Sequence, residues 1–244
     1  MKCKLCLQDK DLLKKSHIVP NFLYKELREK DNSFVKANLE KLTKQPVYTG
    51  FFEPNILCQT CDNELLSKLE EYAYKIIYDS KKIKGVKIVN EINSHGVEWT
   101  MCRGVDYTKL KLFLLSMLWR FSISSNEFYK FVDLGKHEEI IRKMIFENNA
   151  GDVLDYPCSI SSYRKHTDLP FKLMSQPLRH RNENGGICYT VVMQGFCYTF
   201  YISRELLPDI ISEIVINKNN ELKVIHLPKD SATKIVRKYM RLNV

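Results

Sequence analysis

Apolar residues recur at helical spacing in three long segments of the chain, and each segment predicts a helix. The segments run over 62–79, 107–122 and 137–148. The second is rich enough in apolar residues to predict a buried helix, with a core face of Leu110, Phe113, Leu114, Met117, Leu118 and Phe121. The third predicts an amphipathic helix whose inward face consists of Ile140, Ile141, Met144 and Ile145.

Strand periodicity is clearest over 187–202, a segment rich in Tyr, Val, Phe and Thr. Gln194 and Gly195 interrupt this segment near its middle, which predicts a β-hairpin with its turn at these two residues. Shorter runs predict strands over 86–89, 96–102 and 221–227 and a closing basic helix over 231–242. Because helices and strands are grouped rather than strictly alternating, the predicted fold class is α+β.

The first 80 residues are predicted to be a unit of their own. A short helix over 21–30 begins at Asn21, whose side chain suits the N-cap position, and an extended segment over 46–52 follows it. Residues 81–87 contain four lysines and no acidic residue, which is typical of an exposed linker. We therefore divide the chain into a module over 1–80 and a mixed α+β domain over 81–244.

Two Cys-x-x-Cys pairs frame the first module. They are Cys3/Cys6 and Cys58/Cys61, separated by 51 residues. Each pair places two thiolates on one tight turn, and two such turns can close a tetrahedral site around a structural Zn²⁺ ion. The remaining cysteines show no ligand spacing and are expected to be buried free thiols in a reducing compartment; they are Cys102, Cys158, Cys188 and Cys197.

Composition and charge narrow the class of protein. The chain is 44% hydrophobic and 27% charged, which is typical of a folded globular protein, and its formal charge is +9. Residues 51–80 are acidic whereas the rest is basic, a distribution that suits a polyanionic partner and a metal-binding pocket. The most apolar window, 110–121, is too short to span a bilayer, and no secretory signal precedes it. A cytoplasmic protein without a membrane partner is expected.

A histidine segment lies between the two cysteine pairs, with the sequence His17-Ile18-Val19-Pro20. The order Cys-x-x-Cys, His-Ile-x-Pro and Leu-Cys-x-x-Cys resembles the zinc-knuckle members of the HNH, or ββα-metal, nucleases. The resemblance covers residues 3–75. It implies a zinc-stabilised ββα-metal module that hydrolyses phosphodiester bonds with the help of a second, catalytic divalent ion.

The resemblance also implies roles for individual residues. His17 matches the general base that activates water, and its ordinary pKa of about 6.5 suits that task. Asp62 stands where the family places a ligand of the catalytic Mg²⁺ or Mn²⁺ ion, and Asn63 is a rival for the same role. Asn55 or Glu53 would orient His17. The chain departs from the family at Ser16, where many relatives have a metal-binding Asp.

Each of these residues has a structural alternative. His17 can instead be bonded to the backbone or lie behind the zinc ligands. Asp62 and Asn63 are good N-caps for the helix that follows, and Glu64 and Glu70 fit solvated helix charges.

At the level of the whole chain, the leading hypothesis is a metal-dependent HNH-type endonuclease acting on nucleic acid, expected to be DNA. A bacterial defence or restriction-like role is implied by the resemblance alone. The alternative is a non-catalytic zinc module that binds nucleic acid or a protein. Residues 81–244 would recognise substrate, regulate the enzyme through a partner or form a homo-oligomer. Basic residues on the last predicted helix could follow a phosphate backbone; they are Lys234, Arg237, Lys238 and Arg241.

Overall fold

The computed structural model describes residues 1–25, 27, 34–38, 43–47, 50–78, 83–171 and 174–240. Within these ranges the chain is a mixture of helices and strands, which confirms the predicted α+β class. No helix in the described ranges has the length and apolar character needed to cross a membrane.

The helices are bounded as follows: α1 Asn21–Lys25, α2 Ser67–Tyr78, α3 Tyr107–Ile123, α4 Lys136–Phe146, α5 Ile211–Ile214 and α6 Lys229–Met240. A π-helical segment, Thr60–Leu66, leads directly into α2. The strands are β1 Ser16–His17, β2 Phe34–Asn38, β3 Thr43–Val47, β4 Phe52–Glu53, β5 Lys87–Ile92, β6 Glu98–Arg103, β7 Cys158–Ser162, β8 Leu178–Arg181, β9 Ile187–Met193, β10 Phe196–Tyr201 and β11 Glu221–His226.

Seven of the described strands form one sheet in the order β5-β6-β11-β7-β10-β9-β8. All neighbours in this sheet are antiparallel except β11 and β7, which run parallel. In the first module, β1 pairs with β4 and β2 pairs with β3 as separate two-stranded ladders. The identity of this unit as a ββα HNH module stays a prediction.

Helix α3 is the centre of the core. Nearly all of its side chains are buried because it packs between α2 and α4 and also contacts β7. Asp106 caps its N-terminus by accepting a hydrogen bond from the backbone N–H of Lys109 at 3.0 Å. Three polar residues, Lys111, Ser116 and Arg120, are buried among its apolar side chains. Such residues are buried only with partners, and the partners of Arg120 define the candidate site.

Most of the long predicted elements are confirmed. The helices over 107–122 and 137–148 correspond to α3 and α4, and the hairpin over 187–202 is β9–β10. Its turn is at Gln194 and Gly195, both with positive φ, as a tight hairpin turn requires. The strands over 86–89, 96–102 and 221–227 appear as β5, β6 and β11, and the closing helix as α6.

The prediction fails in three places. The strands β7 and β8 were not predicted. Ile141 and Ile145 are buried as predicted, but Ile140 is 45% exposed because the buried face of α4 continues through Arg142 rather than Ile140. Of the predicted helix over 21–30, α1 covers Asn21–Lys25, and Leu27 lies in a turn. The last residues of this predicted helix, together with 81–82 of the linker and Arg241 of the basic helix, lie outside the described residues.

The core is continuous between the first module and the sheet. One hydrophobic cluster contains buried residues from both parts, among them Leu5, Leu57 and Ile76 from the module and Leu118 and Tyr198 from the rest. The division of the chain at residue 80 stays a prediction.

Candidate metal centre and active site

The four cysteines of the two Cys-x-x-Cys pairs meet in space. All four Sγ atoms lie within 4.8 Å of one another, and those of Cys6 and Cys58 are 4.0 Å apart. A tetrahedral Zn²⁺ ion with Zn–S bonds of about 2.3 Å needs sulfur atoms about 3.8 Å apart, so the cluster fits zinc after a small contraction. Such a site has four protein ligands and no open position, which makes it structural.

Backbone N–H groups around the cysteines favour the thiolate form that binds a metal cation. The N–H of Cys58 points at Cys3 Sγ over 3.4 Å, and the N–H of Leu7, which has a positive φ of 60°, donates to the carbonyl of Cys3 over 2.9 Å. Burial acts against the thiolate of Cys3, but surrounding backbone N–H groups outweigh it and lower the pKa to about 7. Burial raises the pKa of Cys6 and Cys61, whose protons a bound Zn²⁺ would displace.

His17 lies on the short ladder between the two cysteine pairs. In this ladder Ser16 is opposite Glu53 and His17 is opposite Phe52. Ser16 and Glu53 are buried, whereas His17 and Phe52 are half-buried with their ring centroids 4.4 Å apart. Because side chains alternate between the two faces of a strand, the imidazole is on the more open face of the ladder.

The helix after the second cysteine pair begins with unusual winding. The π-helical segment Thr60–Leu66 precedes the regular turns of α2, and Asp62 lies in its first turn, with its N–H donating to the carbonyl of Cys58 at 3.0 Å. A carboxylate at this position is next to the positive end of the helix dipole. Segments of π-helix are rare and are found frequently at functional sites.

Arg120 joins the histidine ladder to α2. Its side chain is fully buried, and its Nη1 donates to the carbonyl oxygen of His17 at 3.1 Å and to Glu70 Oε1 at 2.7 Å. Its Nε donates to the carbonyl of Ser116, one turn earlier in α3, at 3.2 Å. One guanidinium therefore holds the backbone of the histidine strand and a carboxylate of α2 in fixed positions.

Asp62 belongs to the same cluster of charges. Burial raises the pKa of Asp62 to about 6; the positive charge of Arg120 opposes this shift, and the negative charge of Glu70 adds to it. Charges affect one another this way only over short distances. Arg120 therefore contacts the backbone of His17 directly, and its charge acts on the carboxyl group of Asp62.

The other predicted residues of the site have different surroundings. Asn63 follows Asp62 and is exposed. The N-cap of this helix is Gln59, so neither Asp62 nor Asn63 takes the capping role that was their structural alternative. Asn55 lies in the turn after β4, with a φ of 60°, an exposed side chain and an N–H that donates to the carbonyl of Leu13 at 2.9 Å. Its role in orienting His17 stays a prediction.

Ser16 and Glu53 lie on the buried face of the ladder. Ser16 has no exposed surface, and in a strand its side chain is directed away from the face that carries His17. Glu53 Oε1 accepts hydrogen bonds from the backbone N–H of Ser125 at 2.6 Å and from its hydroxyl at 2.5 Å. Glu53 thus ties the ladder to the loop after α3.

Glu70 and Arg120 are the site residues that the sequence did not reveal. Glu70 fitted a solvated helix charge, yet its side chain is only 22% exposed and bonds to a buried guanidinium. The available signal was Arg120 itself, a charged residue inside the most apolar segment of the chain. A fully buried arginine needs a carboxylate partner, and the acidic helix over 62–79 was one of several possible sources.

Comparisons with models of protein families, with curated proteins and with solved structures found no match to this chain.

Proposed function

We propose that this chain is a metal-dependent endonuclease of the HNH type, with DNA as its expected substrate. One observation carries the proposal most directly: buried Arg120 bonds both to the backbone of His17 and to the carboxylate of Glu70 on α2. The strand that carries the half-buried imidazole is thereby connected to α2, the helix that follows the second cysteine pair, and the four cysteines fit structural zinc. One-metal phosphodiester hydrolysis needs a base, a cation on the phosphate and a scaffold that fixes both, and these residues would supply the base, an ion ligand and the scaffold.

In the proposed mechanism, His17 is the general base. Its imidazole takes a proton from water as the water attacks the scissile phosphorus, and the negative charge that develops on the leaving 3′ oxygen must then be stabilised. The bond from Arg120 to the carbonyl of His17 fixes the strand that carries the ring. Correct placement of such a base contributes about 10²–10⁴-fold to the rate.

A catalytic Mg²⁺ or Mn²⁺ ion fits the carboxylates of this region. In the described part of the chain, the compact cluster of three or more ligating side chains is that of the cysteines, so Asp62 would hold the ion with few protein ligands. Mg²⁺ is commonly bound in this way, through one or two carboxylates, several waters and the substrate phosphate. The ion would polarise the phosphate and stabilise the leaving oxygen. Asn63 would support Asp62 as a neutral oxygen ligand.

Basic side chains of the second region supply a surface for the polyanion. Lys234, Arg237 and Lys238 are exposed on α6, the last two lying three and four residues after the first. Contacts of such residues with phosphates add affinity without sequence preference. Recognition of DNA through α6 is therefore part of the proposal, as is a biological role in defence against foreign DNA.

Substitution of His17 by Ala tests the proposal. We expect His17→Ala to reduce Mg²⁺- or Mn²⁺-dependent cleavage of supercoiled plasmid by about 10²–10⁴-fold, with zinc content and DNA affinity unchanged. The matched control is His95→Ala, since His95 is exposed in the turn between β5 and β6. Full cleavage by His17→Ala would exclude His17 as the base.

The second candidate function is a non-catalytic zinc module that binds nucleic acid. It is favoured by Ser16, which replaces the metal-binding Asp of many HNH nucleases and is buried away from the imidazole. Wild-type protein that binds plasmid DNA without cleaving it, in either divalent ion, would support this function in place of the first.

A further inference from the structure

β5 is an edge strand with exposed apolar side chains. In the described part of the chain it pairs with β6 on one side and forms one edge of the seven-stranded sheet. Three of its apolar residues are exposed: Ile88 by 43%, Val89 by 42% and Ile92 by 63%. The opposite edge, β8, carries Arg179 and Arg181, as is usual for an edge that is protected against pairing. β5 carries charge only at its first residue, Lys87, and at Glu91, whose carboxylate is already bonded to Trp99 and Arg103 of β6.

The backbone of β5 offers regularly spaced hydrogen-bonding groups. The N–H of Asn93 donates to the carbonyl of Val97 at 3.0 Å, in the same register that pairs Lys87 with Arg103. Successive residues of an antiparallel strand direct their N–H and C=O groups to alternate sides. The odd-numbered residues of β5 therefore face β6, and the even-numbered ones, Ile88, Asn90 and Ile92, direct these groups outward.

We propose that two copies of this chain associate through β5, antiparallel, about a two-fold axis at Asn90. In this register Asn90 is opposite Asn90 of the partner subunit, and Ile88 is opposite Ile92 of the partner subunit. The three outward residues of each copy then form hydrogen-bonded pairs with two bonds each. The two sheets become one continuous sheet, and two Ile–Ile pairs cover each other on the same face.

Other two-fold registers satisfy fewer groups. An axis at Val89 pairs Ile88 with Asn90 and places Ile92 opposite Val86, whose N–H already donates to the carbonyl of Ile83 at 3.2 Å. An axis at Glu91 brings two identical carboxylates opposite each other, which is unfavourable. In the register at Asn90, no like charges are opposite each other along β5. A second copy is thus the occupant whose pattern of apolar residues and backbone groups matches this edge.

Cysteine cross-linking tests the register. Opposed residues of a hydrogen-bonded antiparallel pair have Cα atoms about 5.5 Å apart, within the range of a disulfide bond. Asn90→Cys is expected to form a covalent dimer on air oxidation, seen on a non-reducing gel. The matched control Val89→Cys, one residue away, is not, because residue 89 is opposite residue 91. A dimer cross-linked at position 89 and not at 90 would overturn the register.

Charge substitution tests the association itself. Sedimentation across a dilution series should show a dimer of wild-type protein, and Ile92→Lys should weaken dimerisation by at least about tenfold. Adding Ile88→Glu to that variant should restore the dimer, since the new side chains are opposite each other across the axis. Ile140→Lys, at a residue 45% exposed on α4, is the control and should change nothing. A monomeric wild type, or equal effects of Ile92→Lys and Ile140→Lys, would overturn the proposal.

Discussion

Glu70 and Arg120 form the ion pair on which the geometry of the candidate site depends. The Arg120 side chain has no exposed surface and the Glu70 side chain is 22% exposed, with their atoms 2.7 Å apart. Removing one partner of a buried pair leaves the other charge desolvated and uncompensated. We predict that Glu70→Ala lowers the free energy of unfolding by about 2–4 kcal/mol, as measured by urea denaturation.

The next residue along α2 provides the control for that measurement. Glu71 is 67% exposed and its carboxylate lies 3.4 Å from Lys75, which is 48% exposed. Solvent screens a pair of this kind, so Glu71→Ala should change the free energy of unfolding by less than about 0.5 kcal/mol. Similar losses for the two variants would show that Glu70 is no more than a surface charge.

Single residues of the site differed in how far the sequence could predict them. The cysteines could be predicted because ligand spacing is local. Two residues lie between the cysteines of each pair, and the fold only had to bring the two pairs together. Glu70 was not, because helical periodicity places it beside the apolar face without saying what covers it. Its partner is 50 residues away in the chain, and no local pattern reports such a contact.

The two cysteine turns are the elements that bring β1, β4 and the π-helical segment together. A structural metal that connects Cys3/Cys6 with Cys58/Cys61 contributes directly to the stability of these short elements. We predict that the wild type contains about one zinc per chain and that Cys58→Ser loses it, with a decrease of more than about 4 kcal/mol in the free energy of unfolding. Metal analysis and urea denaturation are the measurements.

A cysteine outside the cluster separates loss of metal from loss of packing. Cys197 is 3% exposed in β10 and lies in a hydrophobic cluster with Val192 and Val236. Cys197→Ser therefore buries a hydroxyl and costs some stability, yet its zinc content should equal that of the wild type. Zinc retained by Cys58→Ser would show that the four thiolates are not the ligands.

Among the elements, length decided what the sequence could predict. α3 and the β9–β10 hairpin carry long periodic patterns, and both were found. β7 has the sequence Cys-Ser-Ile-Ser-Ser, in which serines occupy positions that are buried or half-buried in the middle of the sheet. β8 is four residues long and contains three basic residues. Both are strands because their neighbours β10, β11 and β9 pair with them, which is a tertiary effect.

At the scale of the whole molecule, the first module and the sheet are connected by more than the backbone. Phe51 stacks on Phe128 with ring centroids 4.6 Å apart, and Phe22 packs on Phe113 at 5.8 Å. Backbone carbonyls of the module also accept hydrogen bonds from the side chains of Arg142 and Gln194. Buried contacts of this kind are expected between parts of one domain, which fold together.

We therefore predict that the two regions unfold in one cooperative transition. Trp99 and Trp119 both lie in the second region, so tryptophan fluorescence reports on the sheet and α3, whereas release of zinc to a chromophoric chelator reports on the first module. In a urea titration the two curves should coincide, because α3 cannot lose its packing without freeing Arg120 and the ladder it holds. Zinc release at clearly lower urea than the fluorescence change would instead mean that residues 1–80 are an independent unit, and the buried contacts of Arg120 would then be too weak to hold His17 in place.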